Sequence, residues 1–203
     1  MKLLRVGEPG KERAALLDAG GRLRDLSMLI ADVGGEALLP ENLARLAAAD
    51  AATLPVIEAP CRIGPCVGGV GKIICVGLNY RDHAAEANLP PPAEPILFMK
   101  PTSAIIGAED DVEIPPGSQK TDWEVELGIV IGRPGRYLSR EQAMSHVAGY
   151  CLVNDLSERA YTGTPAGVGL GQRPPRFLKA GQILRAGIAG LGTQTQRTVP
   201  AAV

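Results

Sequence analysis

The stretch Asp122-Trp123-Glu124-Val125-Glu126-Leu127-Gly128-Ile129-Val130-Ile131-Gly132 decides how this chain is read. Side chains alternate across a β-strand, so Glu124 and Glu126 share one face while Trp123, Val125 and Leu127 share the other. Two strand rises put the Glu Cα atoms roughly 6.5–7 Å apart. Like charges so placed repel, and burial sharpens the repulsion unless one carboxylate takes a proton or a cation stands between them. The spacing alone equally describes the solvated face of an edge strand. The apolar run over residues 127–131 favours a buried strand, where solvated glutamates are out of place.

A third carboxylate follows. Asp155 comes just after the apolar run 147–153, in Val153-Asn154-Asp155-Leu156-Ser157-Glu158-Arg159, and strand ends present functional groups over a rigid scaffold. Three oxygen ligands without Cys or His describe a hard-cation site, with Mg²⁺ or Mn²⁺ expected rather than zinc.

A second constellation is Gly77-Leu78-Asn79-Tyr80-Arg81-Asp82-His83-Ala84-Ala85-Glu86. On a helix, His83 and Glu86 are three apart and share a face. A carboxylate accepting the imidazole N–H fixes the tautomer and makes His83 a general base toward water. A plain surface contact fits the same spacing. The short helix ends at Pro90-Pro91-Pro92 and so also suits a lid.

Other motifs fall short. Gly69-Val70-Gly71-Lys72 lacks the earlier Gly of a phosphate loop and has Ile73 where Ser or Thr binds magnesium. Gly167-Val168-Gly169-Leu170-Gly171-Gln172 lacks the third Gly of the dinucleotide fingerprint. His146 reads as a charged residue near a helix end. Lys100 suits an anion or simply the surface.

Around these motifs, strands are expected at 72–78, 96–99, 104–106, 112–114, 123–131 and 147–153. Ser139 with Gln142 forms a capping box for a short helix. Residues 1–26 read as a hairpin turning at Gly20-Gly21, and Pro40-Glu41 opens a helix. A Pro, Gly and Ala-rich stretch over 52–71 reads as a linker.

The 203 residues, 45% hydrophobic and 21% charged with net charge −1, describe a globular chain with no basic excess for nucleic acid or membrane. The four cysteines lack disulfide density, no apolar run spans a bilayer, and a cytoplasmic protein is expected. All seven aromatic residues lie at or after Tyr80. Residues 160–203 hold five basic and no acidic residues, and no useful periodicity.

Taken together, the motif around His83, Phe98-Met99-Lys100-Pro101-Thr102-Ser103, the Glu-x-Glu run and Asn154-Asp155-Leu156-Ser157-x-Arg159 resemble the fumarylacetoacetate hydrolase family. The resembling members are those called ureidoglycolate lyase or 2-hydroxyhepta-2,4-diene-1,7-dioate isomerase. The resemblance implies an α+β, β-rich fold, a mixed β-sandwich or partial barrel, with a small N-terminal α+β appendage at 1–71. The first part of the catalytic domain would fill 72–161.

The resemblance also implies roles. Glu124, Glu126 and Asp155 would hold Mg²⁺ or Mn²⁺, His83 and Glu86 would activate water from a lid helix, and Arg159 and Lys100 would hold a substrate carboxylate. The chain would act as a homodimer, cleaving a C–C bond in a small 2-oxo acid of the acylpyruvate type. Ureidoglycolate elimination, hydroxymuconate-type isomerisation and a silent fragment remain as alternatives. Tyr161 fits the pattern but Thr162 departs from it, and Lys179 stands in the wrong context for the family lysine. Residues 162–203 are therefore expected to be a divergent tail, out of frame or otherwise replaced, leaving the domain C-terminally incomplete.

Overall fold

The computed structural model describes residues 1–58, 60–86, 88–159, 168–169 and 172–201. Tyr161 and Thr162, with Gly167, Leu170 and Gly171 of the glycine run, lie outside these. The chain divides into two units. One comprises Met1–Val70, Ile105–Glu109 and Gly128–Cys151; the other comprises Gly71–Ala104, Asp110–Leu127 and Leu152–Val203.

In the first unit, β1 (Lys2–Val6), β2 (Arg13–Leu17) and β3 (Leu23–Asp25) form an antiparallel sheet in the order β1-β2-β3. The expected hairpin is thus a three-stranded sheet. The turn at Gly21 needs φ +77°, which glycine adopts without penalty. Asp18 holds this turn, accepting from the Gly20 and Arg22 backbone N–H groups and from the Arg24 side chain. Helix α1 (Pro40–Ala48) begins at proline, whose missing N–H costs nothing in a first turn, and Glu41 sits at the positive helix end. It delivers Leu46 to a cluster with Leu16, Leu26, Ile30, Val33 and Leu38.

In the second unit, β4 (Ile73–Gly77) pairs antiparallel with β5 (Ile96–Lys100), Ile73 opposite Lys100 and Cys75 opposite Phe98. Helix α2 (Arg81–Glu86) follows β4. The short strands β6 (Val112–Ile114) and β7 (Thr121–Asp122) lead into β8 (Val125–Ile131). Residues 104–106 hold no strand; a 3-10 turn at Thr102–Ala104 stands there instead.

Ser139 and Gln142 make both bonds of the capping box ahead of α3 (Arg140–Ala143). Then β9 (Val147–Asn154), which pairs with β8, runs into β10 (Ser157–Glu158). Among the described residues the sheets have two or three strands and no closed barrel forms.

Two expectations are overturned here. The β8 strand is not buried: Leu127, Ile129 and Ile131 are exposed, as are Ile74 and Val76 of β4. Alternation in β8 does hold, but with the usual sense reversed. Glu126 lies on the covered side while Val125, Leu127 and Ile129 face out. Apolarity along a strand reports both faces at once and cannot say which one is covered.

Within the segment expected to be a divergent tail, β11 (Ile183–Ile188) and β12 (Gly192–Pro200) form an antiparallel hairpin whose second strand adds in parallel to β6. It is tied further by Leu178 N–H to the Thr121 carbonyl, 2.8 Å, and by the Asn154 amide to the Gln196 amide oxygen, 2.8 Å. Polar Gln194, Gln196 and Thr198 hide the strand from a hydrophobicity reading, yet Gln196 and Thr198 are buried.

Candidate active site

The second unit builds its centre from polar groups. Strands β7 and β10 pair antiparallel, Ser157 opposite Asp122 and Glu158 opposite Thr121. Backbone bonds extend this short ladder at both ends. Arg159 N–H donates to the Lys120 carbonyl at 2.9 Å, and Asp155 N–H donates to the Glu124 carbonyl at 2.8 Å. Residues thirty-one apart in sequence are thereby held side by side: Glu124 just beyond β7, and Asp155 just beyond β9.

Two cations enter the same space. Lys100, at the end of β5, places its Nζ 2.5 Å from Asp155 Oδ1 and donates to the Leu156 carbonyl and Ser157 Oγ, both at 2.9 Å. Arg159 donates from Nε to Asp122 Oδ2 at 3.2 Å, and its Nη2 pairs with Glu124 Oε1. The Arg159 and Asp122 side chains are fully buried. Asp122 Oδ1 also accepts the Gly169 N–H at 2.7 Å and the Trp123 N–H at 2.8 Å, so this acid fastens the C-terminal segment to the site.

The electrostatics follow from burial and mutual charge. Burial pushes the Glu124 carboxyl up to about 7; Asp155 adds to the rise, while Arg159 and Lys100 oppose it. Glu126 is raised by burial and by Asp155, against a hydrogen bond from Tyr80. The Tyr80 hydroxyl also stands 3.5 Å from the Leu127 N–H. Burial lowers His83, with Glu86 and Asp82 pulling upward and Arg159 downward. His83 Nδ1 is buried without a hydrogen-bond partner among the described residues. The Cys75 thiol is raised by burial and by Asp155, with Lys100 opposing, so it shares the field of the same carboxylates.

Asp155 therefore comes within electrostatic reach of both Glu124 and Glu126. His83 and Glu86 share α2, and the charge of Glu86 acts on His83. The expectation for Arg159 and Lys100 needs correction. Neither is free for a substrate carboxylate: Arg159 is buried against Asp122 and Glu124, and Lys100 has its donors filled by Asp155, Leu156 and Ser157. Sequence reasoning missed Asp122, Tyr80 and Cys75. The period-2 alternation of β4, with Cys75 on the same face as Ile73 and opposite Phe98, was the available signal for the thiol.

The donor set fits a hard divalent cation, being all oxygen with one carboxylate buried and raised. No three of His, Cys, Asp and Glu among the described residues stand close enough to enclose an ion. Lys100 and Arg159 hold that charge instead. The same residues thus offer the right chemistry in an arrangement closed on two internal cations.

Comparison with known proteins places these features. The family model for the fumarylacetoacetate (FAA) hydrolase C-terminal region matches residues 72–161. A Burkholderia multivorans protein, given only the general designation of a hydrolase, is 41% identical over 278 aligned positions, covering 98% of this chain and 99% of that protein. A fumarylacetoacetate hydrolase from psychrophilic Exiguobacterium antarcticum shares the fold with a TM-score of 0.81 at 24% identity, over 99% of this chain and 100% of the other. A maleylpyruvate hydrolase from Sphingobium sp. SYK-6, solved with manganese(II) and pyruvate, gives 0.77 at 20% identity over all of both chains.

The Burkholderia alignment has more positions than the 203 residues of this chain, so a stretch of the relative has no counterpart inside it. Because 98% of this chain aligns, the alignment extends into the segment after residue 161. The chain belongs to the fumarylacetoacetate hydrolase family.

Proposed function

We propose that the chain is a divalent-metal-dependent hydrolase or lyase that cleaves a C–C bond in a small 2-oxo acid of the acylpyruvate type. One observation carries this reading: Asp155 is hydrogen-bonded through its backbone beside Glu124 and raises both Glu124 and Glu126. Carboxylates raised by burial and by a neighbouring acid gain most from a cation. Glu124, Glu126 and Asp155 would hold it, and Mg²⁺ or Mn²⁺ would suit the all-oxygen set. When bound, the ion would supply Lewis-acid stabilisation of negative charge developing on the substrate's 2-oxo acid portion.

His83 does the proton work. Burial favours its neutral form, and its unpartnered Nδ1 is the atom available to take a proton from water. Glu86 and Asp82 then stabilise the imidazolium. Water adds its oxygen to the acyl carbon, the bond to the methylene carbon breaks, and the proton held on His83 returns to that carbon. The products are a carboxylic acid and a 2-oxo acid. A homodimer is part of the same proposal.

A second reading, a catalytically silent chain, is favoured by the stretch of the Burkholderia relative that has no counterpart here. Magnesium-dependent cleavage of an acylpyruvate by the purified protein separates the two. The account expects that activity to vanish in Glu124→Ala and in His83→Ala. Activity that survives both substitutions contradicts the site assignment.

A further inference from the structure

We propose that Lys100 is a built-in competitor for the metal: its ammonium group occupies the cation position at Asp155 until a divalent ion displaces it. The inference rests on the metal reading above and deepens it, by naming the residue that sets the strength of binding.

The geometry is that of a site already filled. The Lys100 Nζ meets Asp155 Oδ1, the Leu156 carbonyl and Ser157 Oγ, at 2.5, 2.9 and 2.9 Å. An ammonium has three N–H donors, and three acceptors stand around this one. Only 19% of the Lys100 side chain and 11% of the Asp155 side chain is exposed, so water screens the pair weakly. The remaining surface lysines show nothing comparable: Lys2, Lys11, Lys72, Lys120 and Lys179 are exposed. Lys100 reaches the site because it ends β5, opposite Ile73 of β4, on the face that also carries Cys75.

Charge makes the competition direct. A divalent ion on Asp155 and an ammonium on the same carboxylate repel, so binding must either expel Lys100 or pay for its presence. Arg159 presents a different case. Its guanidinium is locked between two acids in a fully buried place, and Asp122 keeps it there whatever happens at Glu124. Lys100 is paired with a single carboxylate and keeps part of its side chain exposed, which makes it the displaceable cation of the two.

Two measurements decide the matter. Titration of Mn²⁺ into the full chain by calorimetry is expected to give binding at least about tenfold tighter in Lys100→Met than in the wild-type protein, since a repelling charge a few ångströms from a divalent ion is gone. Reductive methylation of the wild-type protein is expected to spare Lys100 without metal and to modify it severalfold faster with saturating Mg²⁺, the five exposed lysines serving as internal references. The methylation arm decides the question even if Lys100→Met fails to fold. Binding that is equal or weaker in Lys100→Met, or a Lys100 reactivity unmoved by bound Mg²⁺, overturns the proposal. Absence of binding in both wild type and variant instead removes the metal reading on which it stands.

Discussion

Arg159 stands between two acids, its Nε 3.2 Å from Asp122 Oδ2 and its Nη2 paired with Glu124, and neither the Arg159 nor the Asp122 side chain reaches solvent. Removing one member of such a set strands the others in a poorly solvated place. Arg159→Met should therefore lower stability by about 3–5 kcal/mol. Urea unfolding followed by the fluorescence of Trp123 measures it. Adding Asp122→Leu to that variant should lose less than the two single changes together, because the acid left uncompensated is also gone.

Much of this arrangement was legible in the sequence, and its limits have physical causes. The Glu-x-Glu alternation anticipated the covered side of Glu126 in β8, although Glu124 lies just before that strand begins, and Asp155 was placed at a strand end. The capping box at Ser139, the proline-led start of α1 and strands β5, β6 and β9 were equally readable, because each rests on local geometry. What was not legible depends on pairing. Asp122 becomes an anchor only when β10 is laid against β7. Arg159 looked like a substrate clamp until its backbone bond to Lys120 turned its side chain inward. The β11 and β12 hairpin was hidden because its buried positions, Gln196 and Thr198, are polar.

Glu124 carries a pH dependence. Its carboxyl is pushed up to about 7 by burial and by Asp155, so below that pH it binds a proton that a metal must expel. Mn²⁺ affinity should rise about tenfold per pH unit from 5.5 to 6.5 and level off above about 7.5. Calorimetry in buffers of differing ionisation enthalpy should show the released proton near pH 6 and none near pH 8.

Asp18, a carboxyl shifted in the opposite direction, carries another. Hydrogen bonds from the Arg22 backbone N–H and the Arg24 side chain hold it down to about 2. A depressed carboxyl adds stability that is present above its ordinary range and is lost as pH falls toward 2. Thermal unfolding midpoints should fall between pH 4 and pH 2, and Asp18→Asn should flatten that part of the profile.

The outward face of the second unit invites association. Ile74 and Val76 of β4 and Leu97 and Met99 of β5 are exposed together on paired strands. Apolar patches of this kind on a paired sheet promote self-association. Sedimentation of the wild-type chain should show species larger than the monomer. Leu97→Thr with Met99→Lys should shift the distribution toward monomer and reduce binding of an apolar dye.

Above all, Glu124, Glu126 and Asp155 are proposed to form one divalent-cation site. Electron paramagnetic resonance of Mn²⁺ titrated into the purified chain at pH 8 tests it most directly. One bound Mn²⁺ per chain is expected, with the bound signal lost in Glu126→Gln and in Asp155→Asn. A bound signal of the same strength in both variants, or none in the wild-type protein, contradicts it.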